Sequence, residues 1–550
     1  MIDFFDFTNW HFYIAILLSV INAGVLCLEG NKFMQIIQLS GYHMRGYFDW
    51  LQNTRAKYFL RLLMLVLLSV AGIIVTNVIF RAFSEPYSDY LSYLGLTFYF
   101  LFSGIFIKIL FKTPKKTPLK MTNRMKRSMA LLYVVNLVIS FGFILLSTMF
   151  LDIFRFGAVA LTPLLLPLTV PFVHWVMMPM EKAINYGFVV RAKKKLKEYP
   201  SLIKIGITGS FGKTSVKNAL ATILEEKYSV CATPLNYNTP MGITKTVLEN
   251  LVPINQILIA EMGARQSGDI MELCNIIEPQ YGIVTSVGEQ HMATFGSFDN
   301  VKRTKAELPK YLGKEGFCVF NIDNDAVQEM SKESECQKAL ISIKQNDVDV
   351  WATDIETTEE GTNFTLHLKG EEKSLKCKTK LLGVHNITNL LLCVPLASKL
   401  GLTSKQIVEG IKKVQPISHR LQLVYAPNDV LILDDTYNAS IEGSQRALEV
   451  LQMFKNRRKI VITPGLVELG TIERLANYEF GERISKIADI VVIVNQTHFL
   501  SIKQGLLDAK FKEENIYQAD TVVLAQDLLK KILKKGDIIL WENDLPDNYT

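Results

Sequence analysis

Two hydrophobic periodicities divide the chain. In its first third, apolar runs cover about 12–28, 58–80, 91–111, 129–151 and 156–180, each near the length that crosses a hydrocarbon core. The first run has no charge between Phe12 and Leu28. The fifth carries Pro163, Pro167, Pro171 and Pro179, which predicts a kinked or broken span. From about residue 200 the pattern changes to short β-branched strands alternating with amphipathic helices, the mark of an α/β fold with a mainly parallel sheet. Strands are predicted at 203–208, 257–261, 282–286, 317–321, 430–434, 459–463, 490–494 and 537–540.

Charge sharpens the first third. The net charge of +7 would suit nucleic acid, but the cations cluster beside the apolar spans. Lys32, Arg45, Arg55 and Lys57 lie between spans one and two. Lys112, Lys115, Lys116, Lys120, Arg124, Lys126 and Arg127 lie between three and four, and Arg191, Lys193, Lys194, Lys195 and Lys197 follow span five. The intervening segments around Glu85–Asp89 and Asp152–Phe156 are poor in Lys and Arg. Five spans with the N-terminus outside put every basic loop in the cytoplasm. The expectation is a multi-pass protein of a bacterial-type cytoplasmic membrane, contacting lipids and no nucleic acid. The stretch Gln38–Trp50 is rich in aromatics and reads either as a belt anchoring two spans or as a receiver of a lipid headgroup. The lysine runs likewise set topology or bind lipid phosphate. No cleavable signal peptide is evident, since the first residues are acidic and aromatic. Seven scattered cysteines with no Cys-x-x-Cys pair exclude a zinc ribbon and suit a reducing compartment. At 550 residues, two or three domains are expected.

The chemistry begins at Lys204–Ser215. A strand runs into Gly209-Ser210-Phe211-Gly212 and then into a helix through Val216, Ala219, Leu220 and Ile223. Glycines allow several N–H groups to face one anion, the helix N-terminus adds its dipole, Lys213 a charge, and Thr214 a hydroxyl for Mg²⁺. Ile207 stands where the first glycine of the common eight-residue phosphate loop belongs, so the pattern is Gly-x-x-Gly-Lys-Thr. At the next strand ends stand Glu261, placed to complete a Mg²⁺ site or to be a solvated glutamate, and His291, which alone would more often be structural. Lys305 alone reads as a surface lysine.

Together these residues resemble the Mur ligase family, ATP-dependent amide ligases of peptidoglycan precursor synthesis, with folylpolyglutamate synthetase relatives. The resemblance covers about 200–550 and is closest to the branch adding D-alanyl-D-alanine to UDP-MurNAc-tripeptide. It is carried in order by Thr208–Ser215, Asn236–Gly242, Glu261–Ala264, His291 with Phe295–Ser297, Lys305–Leu308, Gly383–Asn389, His419–Gln422 and Asp434–Ala439. The resemblance implies that Gly209, Ser210, Phe211, Gly212, Lys213, Thr214 and Ser215 hold the phosphates of ATP. It implies that Thr214 and Glu261 bind one Mg²⁺ while His291 binds a second. Lys305 then aligns with a lysine many members carry as a carbamate, which would help orient the second ion. Asn386 and Asn389 align with adenine-side residues, Arg420 with the arginine at the γ-phosphate, and Asp435 with the ribose contact. Lys213, His291, Lys305 and Arg420 would form the catalytic set. A substrate carboxylate would become an acyl phosphate, and an amine would displace phosphate to leave an amide.

Two departures stand out. Thr463–Gly470 is similar but not identical to the family's acidic stretch in the domain expected to bind the amine. The usual UDP-sugar-gripping N-terminal domain is replaced by membrane spans. The expected architecture is therefore an α-helical membrane domain at 1–190, a central P-loop α/β domain at 191–414 and a Rossmann-like α/β domain at 415–550. The expected acceptor is a lipid-linked or membrane-associated envelope carboxylate, the donor an amino acid, peptide or other amine, and a homo-oligomer is compatible with this. Alternatives are D-Ala-D-Ala addition to UDP-MurNAc-tripeptide, a poly-γ-glutamate-type synthase, and an ATP-driven transporter or regulator. The spans lack paired charges beyond Lys108 near an end, which speaks against transport.

Overall fold

A computed structural model describes residues 10–542 except 54, 82–87, 113–117, 151–154, 236, 289–291, 438–439, 468 and 470–471. Two compact units divide between Ile184 and Asn185.

The first unit is helical. Long helices span Trp10–Glu29, Arg55–Arg81, Ser88–Lys112 and Asn123–Phe150, with shorter ones at Asn31–Leu39 and Met44–Asn53. The proline-rich fifth run differs from a simple span. It is a 3₁₀ segment at Arg155–Leu165 holding Pro163, followed by a helix Leu166–Lys197 that contains Pro171 and Pro179. The basic residues 191–197 lie in the last turns of that helix and not in a loop, where cations also complement the dipole. Among the described residues, Phe12–Glu29, Asn123–Ser147 and Gly157–Lys197 are long and apolar enough to cross a membrane, while Leu60–Thr76 and Leu96–Ile109 are shorter apolar helices. Inside the unit Asn22 is a polar hub. Its amide donates to Ser140 Oγ at 2.8 Å and Thr162 Oγ1 at 3.0 Å, and its carbonyl accepts from the Tyr99 hydroxyl at 2.6 Å. Such bonds fix which helix faces meet where apolar packing alone is permissive.

The second unit is α/β, built on two sheets. The first sheet takes β1 (Ile203–Thr208), β2 (Val230–Ala232), β3 (Ile257–Glu261), β4 (Tyr281–Val284), β5 (Phe317–Asn321), β6 (Gln337–Ser342), β7 (Val350–Thr358), β8 (Gly361–Leu368) and β9 (Leu375–Thr379) in the order β2-β3-β1-β4-β5-β6-β7-β8-β9. Strands β2 to β6 and β1 pair in parallel, and β7-β8-β9 form an antiparallel meander. The central β1 lies between β3 and β4, with Ile207 opposite Glu261 and Thr208 opposite Val284. Their carboxyl ends therefore share one edge, the position at which parallel sheets bind ligands. The helix Lys213–Leu224 buries Val216, Ala219, Leu220 and Ile223 against this sheet, one face at helical spacing.

The second sheet takes β10 (Gln422–Ala426), β11 (Val430–Asp435), β12 (Lys459–Thr463), β13 (Ile490–Val494), β14 (Ile516–Ala519) and β15 (Ile538–Glu542) in the order β10-β11-β15-β12-β13-β14. Only β10 runs antiparallel, to β11. The buried runs Ile490–Val494 and Ile538–Leu540 are continuously apolar, as strands covered on both faces must be. All seven cysteines are free thiols and buried.

Candidate active site

The glycine turn after β1 is shaped by its neighbours. Gly209 has φ of +147°, and a Cβ there would stand 2.0 Å from Thr285 Oγ1. Gly212, the residue ahead of the helix, has φ of +81°, and a Cβ would meet Asn389 Oδ1 at 2.7 Å. Both positions demand glycine for conformation and for space. The turn is braced from β4's end: Ser210 N–H donates to Ser286 O at 2.7 Å, and Gly288 N–H donates to Ser210 Oγ at 3.1 Å. The Lys213 ammonium bends back and donates to Gly209 O and Ser210 O, both at 2.8 Å. Loss of hydration brings Lys213 down to about 8, with Glu261 opposing the shift and Arg420 adding to it.

Glu261 ends β3 fully buried. Its backbone N–H donates to Thr233 Oγ1 at 3.1 Å, and Asn238 Nδ2 donates to its Oε1 at 3.2 Å. Oε2 has no hydrogen bond among the described residues. Its nearest charge is the Lys217 ammonium at 3.6 Å, in a pair whose side chains are each 2% exposed. Lys217 also donates to Leu235 O at 2.7 Å, anchoring the residue before the Asn236–Asn238 stretch. Asn236 itself lies outside the described residues. Sequence reasoning passed over Lys217; the available signal was its place one helical turn beyond Lys213, on the face turned toward the strand-end glutamate.

Lys305 is not a surface lysine. It ends the helix Phe298–Lys305 and is 2% exposed. Its ammonium makes no hydrogen bond or ion pair among the described residues. The two carboxylates nearby are committed elsewhere. Glu307 accepts from Gly268 N–H at 2.7 Å and Met271 N–H at 2.8 Å, capping the helix Asp269–Ile277, and Asp269 accepts from Arg265 N–H at 2.8 Å. Burial first, and Lys213 second, bring Lys305 down to about 7.

The second sheet supplies the opposite wall. Arg420 Nη2 donates to Thr214 Oγ1 at 3.3 Å, and its guanidinium carbon sits 4.6 Å from the Tyr437 ring centroid. Asp435 accepts from Leu421 N–H at 3.0 Å, which holds the residue after Arg420 in place at φ of +47°. Across the sheet Asp435 stands in register with the fully buried Glu542. Burial raises Asp435 to about 6, with the Asp434 charge adding to the shift, and burial raises Glu542 well above the usual carboxylate range, with Asp435 adding to that one. Asn389 borders the turn at Gly212, and its Nδ2 donates to Asn386 Oδ1 at 3.4 Å, while Asn386 donates to Leu382 O at 2.8 Å. A cleft runs between Ser215, Asn218, Asn386, Pro416 and Arg420. The structure thus gathers Gly209–Ser215, Glu261, Lys305, Asn386, Asn389, Arg420 and Asp435 around one strand edge. His291 lies outside the described residues, as do Asn438, Ala439, Glu468 and Gly470 of the sequence motifs.

A nucleotide's phosphates fit this turn, since the two glycines let the chain bend tightly against Thr285 and Asn389 into the start of a helix that carries Lys213 and Thr214. An oxygen-loving divalent cation fits the edge, because Glu261, 3.6 Å from Lys217 of the helix that Lys213 and Thr214 open, keeps a carboxylate oxygen without a hydrogen bond among the described residues.

A braced phosphate turn, an acidic strand end and an arginine delivered from a second α/β sheet define a phosphoryl-transfer enzyme of two nucleotide-facing domains. Family models for the Mur ligase middle domain and for the Mur ligase glutamate ligase domain match residues 207–397 and 419–542. The chain belongs to the Mur ligase family and is an ATP-dependent, Mg²⁺-using ligase that forms amide bonds. The UDP-N-acetylmuramoyl-tripeptide–D-alanyl-D-alanine ligase of Mycobacterium tuberculosis strain H37Rv is 30% identical over 357 residues, 61% of this chain and 69% of that protein. The enzyme of the same name from Bacillus subtilis strain 168 is 28% identical over 355 residues, 64% of this chain and 75% of that protein. Among solved structures, the MurF ligase of Thermotoga maritima in complex with ADP is 25% identical with a TM-score of 0.59, covering 66% of this chain and 80% of its own. MurF from Acinetobacter baumannii shares the fold at 24% identity and a TM-score of 0.59, covering 66% and 77%.

Proposed function

We propose that the chain is a membrane-anchored ligase that joins an amino acid, peptide or other amine to a carboxylate on a lipid-linked or membrane-associated envelope precursor. The observation that carries this reading is the joining of a Mur-type site to a first unit of long apolar helices. The family match begins at residue 207, and three of the preceding helices have the length and composition of membrane spans. An enzyme embedded this way meets its acid at the bilayer, with its α/β unit in the cytoplasm where ATP is found. A second reading, D-Ala-D-Ala addition to UDP-MurNAc-tripeptide, draws on the names of the relatives.

In this mechanism the turn amides, Lys213 and Arg420 surround the transferring phosphoryl group and offset its charge as the carboxylate approaches. Thr214 and Glu261 would hold Mg²⁺, and His291 would serve a second ion. A divalent ion held there would supply charge neutralisation for the phosphates during transfer. Lys217 lies beside Glu261, and the Asn238 amide fixes its rotamer. Asn386 and Asn389 border the adenine side, and Asp435 the ribose side. Lys305 carries a carbamate: its neutral amine adds to the carbon of CO₂ and releases one proton, leaving an anion directed at the metal side. The lowered pKa and the commitment of Glu307 and Asp269 to backbone donors support this, since only the unprotonated amine reacts.

The test uses full-length protein in bacterial membranes with ATP, Mg²⁺ and candidate amines. Amine-dependent ADP release with an amide-linked product on the lipid fraction is expected. Turnover of soluble UDP-MurNAc-tripeptide with D-Ala-D-Ala at the rate of dedicated soluble ligases would displace this reading in favour of the second.

A further inference from the structure

The helical unit contains a cationic, aromatic cluster that the ligase chemistry does not use. It forms where the turn between the helices Asn31–Leu39 and Met44–Asn53 meets the start of Asn123–Phe150 and the body of Leu166–Lys197. Gly41 and Tyr42 both have φ of +64°, a conformation that a non-glycine residue seldom adopts. Tyr42 is held in it by its N–H donating to Ile37 O at 2.8 Å, with His43 N–H donating to Ser40 O at 3.2 Å. Strain of this kind gathers where a side chain must be presented for a purpose. The Arg124 guanidinium carbon lies 3.6 Å from the centroid of the presented Tyr42 ring, and the buried His174 ring stacks on Tyr42 at 6.1 Å. Gln38 pins the adjoining segment, donating to Lys120 O and accepting from Lys120 N–H, both at 2.8 Å.

The two arginines of this helix start differ in one decisive respect. Arg127 forms a two-pronged bond with buried Glu181, at 2.8 and 2.9 Å. That pair is neutral and complete. Arg124 has no hydrogen bond or ion pair among the described residues, and Glu181 is already taken. A guanidinium flat against a ring keeps its N–H edge available in plane, and that edge matches the two oxygens of a phosphate. Apolar side chains such as Leu17, Leu67, Val138, Leu168 and Trp175 are exposed on the helices of the same unit, so a ligand with a hydrocarbon tail has a surface to follow.

We propose that Tyr42, Arg124 and His174 form a binding site for the phosphate of a lipid headgroup. The inference rests on the membrane reading above and narrows it: the acceptor reaches the ligase attached to a lipid phosphate or pyrophosphate. Arg124 supplies the donors, and Tyr42 fixes their plane.

The test uses full-length protein in detergent micelles, with polyprenyl phosphate, the parent polyprenol and inorganic phosphate as probes, read by native mass spectrometry. Polyprenyl phosphate is expected to bind, the polyprenol to bind weakly, and Arg124→Gln to reduce phospholipid-probe binding about tenfold to a hundredfold. Arg124→Lys keeps charge but loses the planar fork and should fall between, whereas exposed Lys126→Gln should bind like the parent. Equal binding of polyprenol and its phosphate overturns the proposal, as does binding of inorganic phosphate with none of the lipid. If Arg124→Gln melts early, competition by excess pyrophosphate on the unaltered protein decides the same question. Lipid-phosphate binding without any amide product leaves this site standing and removes the ligase substrate reading. Amide formation with no lipid-phosphate binding does the reverse.

Discussion

Lys305 shows how one side chain can be prepared by what its neighbours do elsewhere. Glu307 and Asp269 are close enough to oppose the loss of its proton, yet each accepts backbone N–H groups at a loop or helix start. An amine left at about 7 is roughly nine-tenths protonated one unit below that value and roughly nine-tenths neutral one unit above. Ligase activity should therefore rise from pH 6 to 8, fall in CO₂-depleted buffer and return on adding bicarbonate. Lys305→Arg, cationic throughout, should lose at least about a hundredfold in kcat and show no bicarbonate response. A rate indifferent to both pH and bicarbonate would count against the carbamate. The linkage has a definite sign. The unfolded chain keeps this proton to about pH 10.4, so the group's contribution to stability grows as pH rises from 7 toward that value and is least below 7.

Among the elements, the loop after β12 depends on a single buried amide. Asn477 Oδ1 accepts from Leu466 N–H at 2.8 Å, while its Nδ2 donates to Leu466 O at 2.9 Å and Glu473 O at 2.8 Å. Asn477→Ala should lower stability by about 2–3 kcal/mol in thermal melts, because the buried Leu466 N–H and C=O both lose the partner this side chain supplies. If this loop receives the amine, KM for the amine should rise more than KM for ATP. The elements that could be read from sequence are those whose pattern is unambiguous. β1, β3, β5, β11, β12 and β13 are short runs dominated by apolar residues, most of them β-branched outside β5, and they stand within a residue or two of expectation. The meander β7-β8-β9 was not visible, since Val350–Thr358 buries only Val350 and Ala352 and spends its length on Thr, Asp and Glu. β2 and β14 are three and four residues long, too short to show a period. The same limit governs the site. Lys213, Thr214 and Glu261 sit in local motifs. Lys217 and Glu542 gain meaning only from the strand that lies across from them, and that pairing is not local in sequence.

At the scale of the whole molecule, the proposed membrane reading carries a topology: three crossings or five are both odd, and either count would put the N-terminus across the bilayer from the α/β unit. The protein should stay in the membrane pellet after an alkaline carbonate wash. A reporter fused after Thr550 should be active in the cytoplasm, and one fused ahead of the first helix outside it. Release into the wash, or both reporters on one side, would contradict the topology. One further consequence follows from Lys213, whose ammonium already has two carbonyl acceptors in its own turn. A guest must outbid those oxygens to draw the cation across. A nucleoside monophosphate brings too few anionic oxygens within reach, whereas a di- or triphosphate brings enough. On the proposed reading the resting contact would therefore hold back monophosphates while ADP and ATP both pass it, so the choice between those two falls to groups beyond this turn.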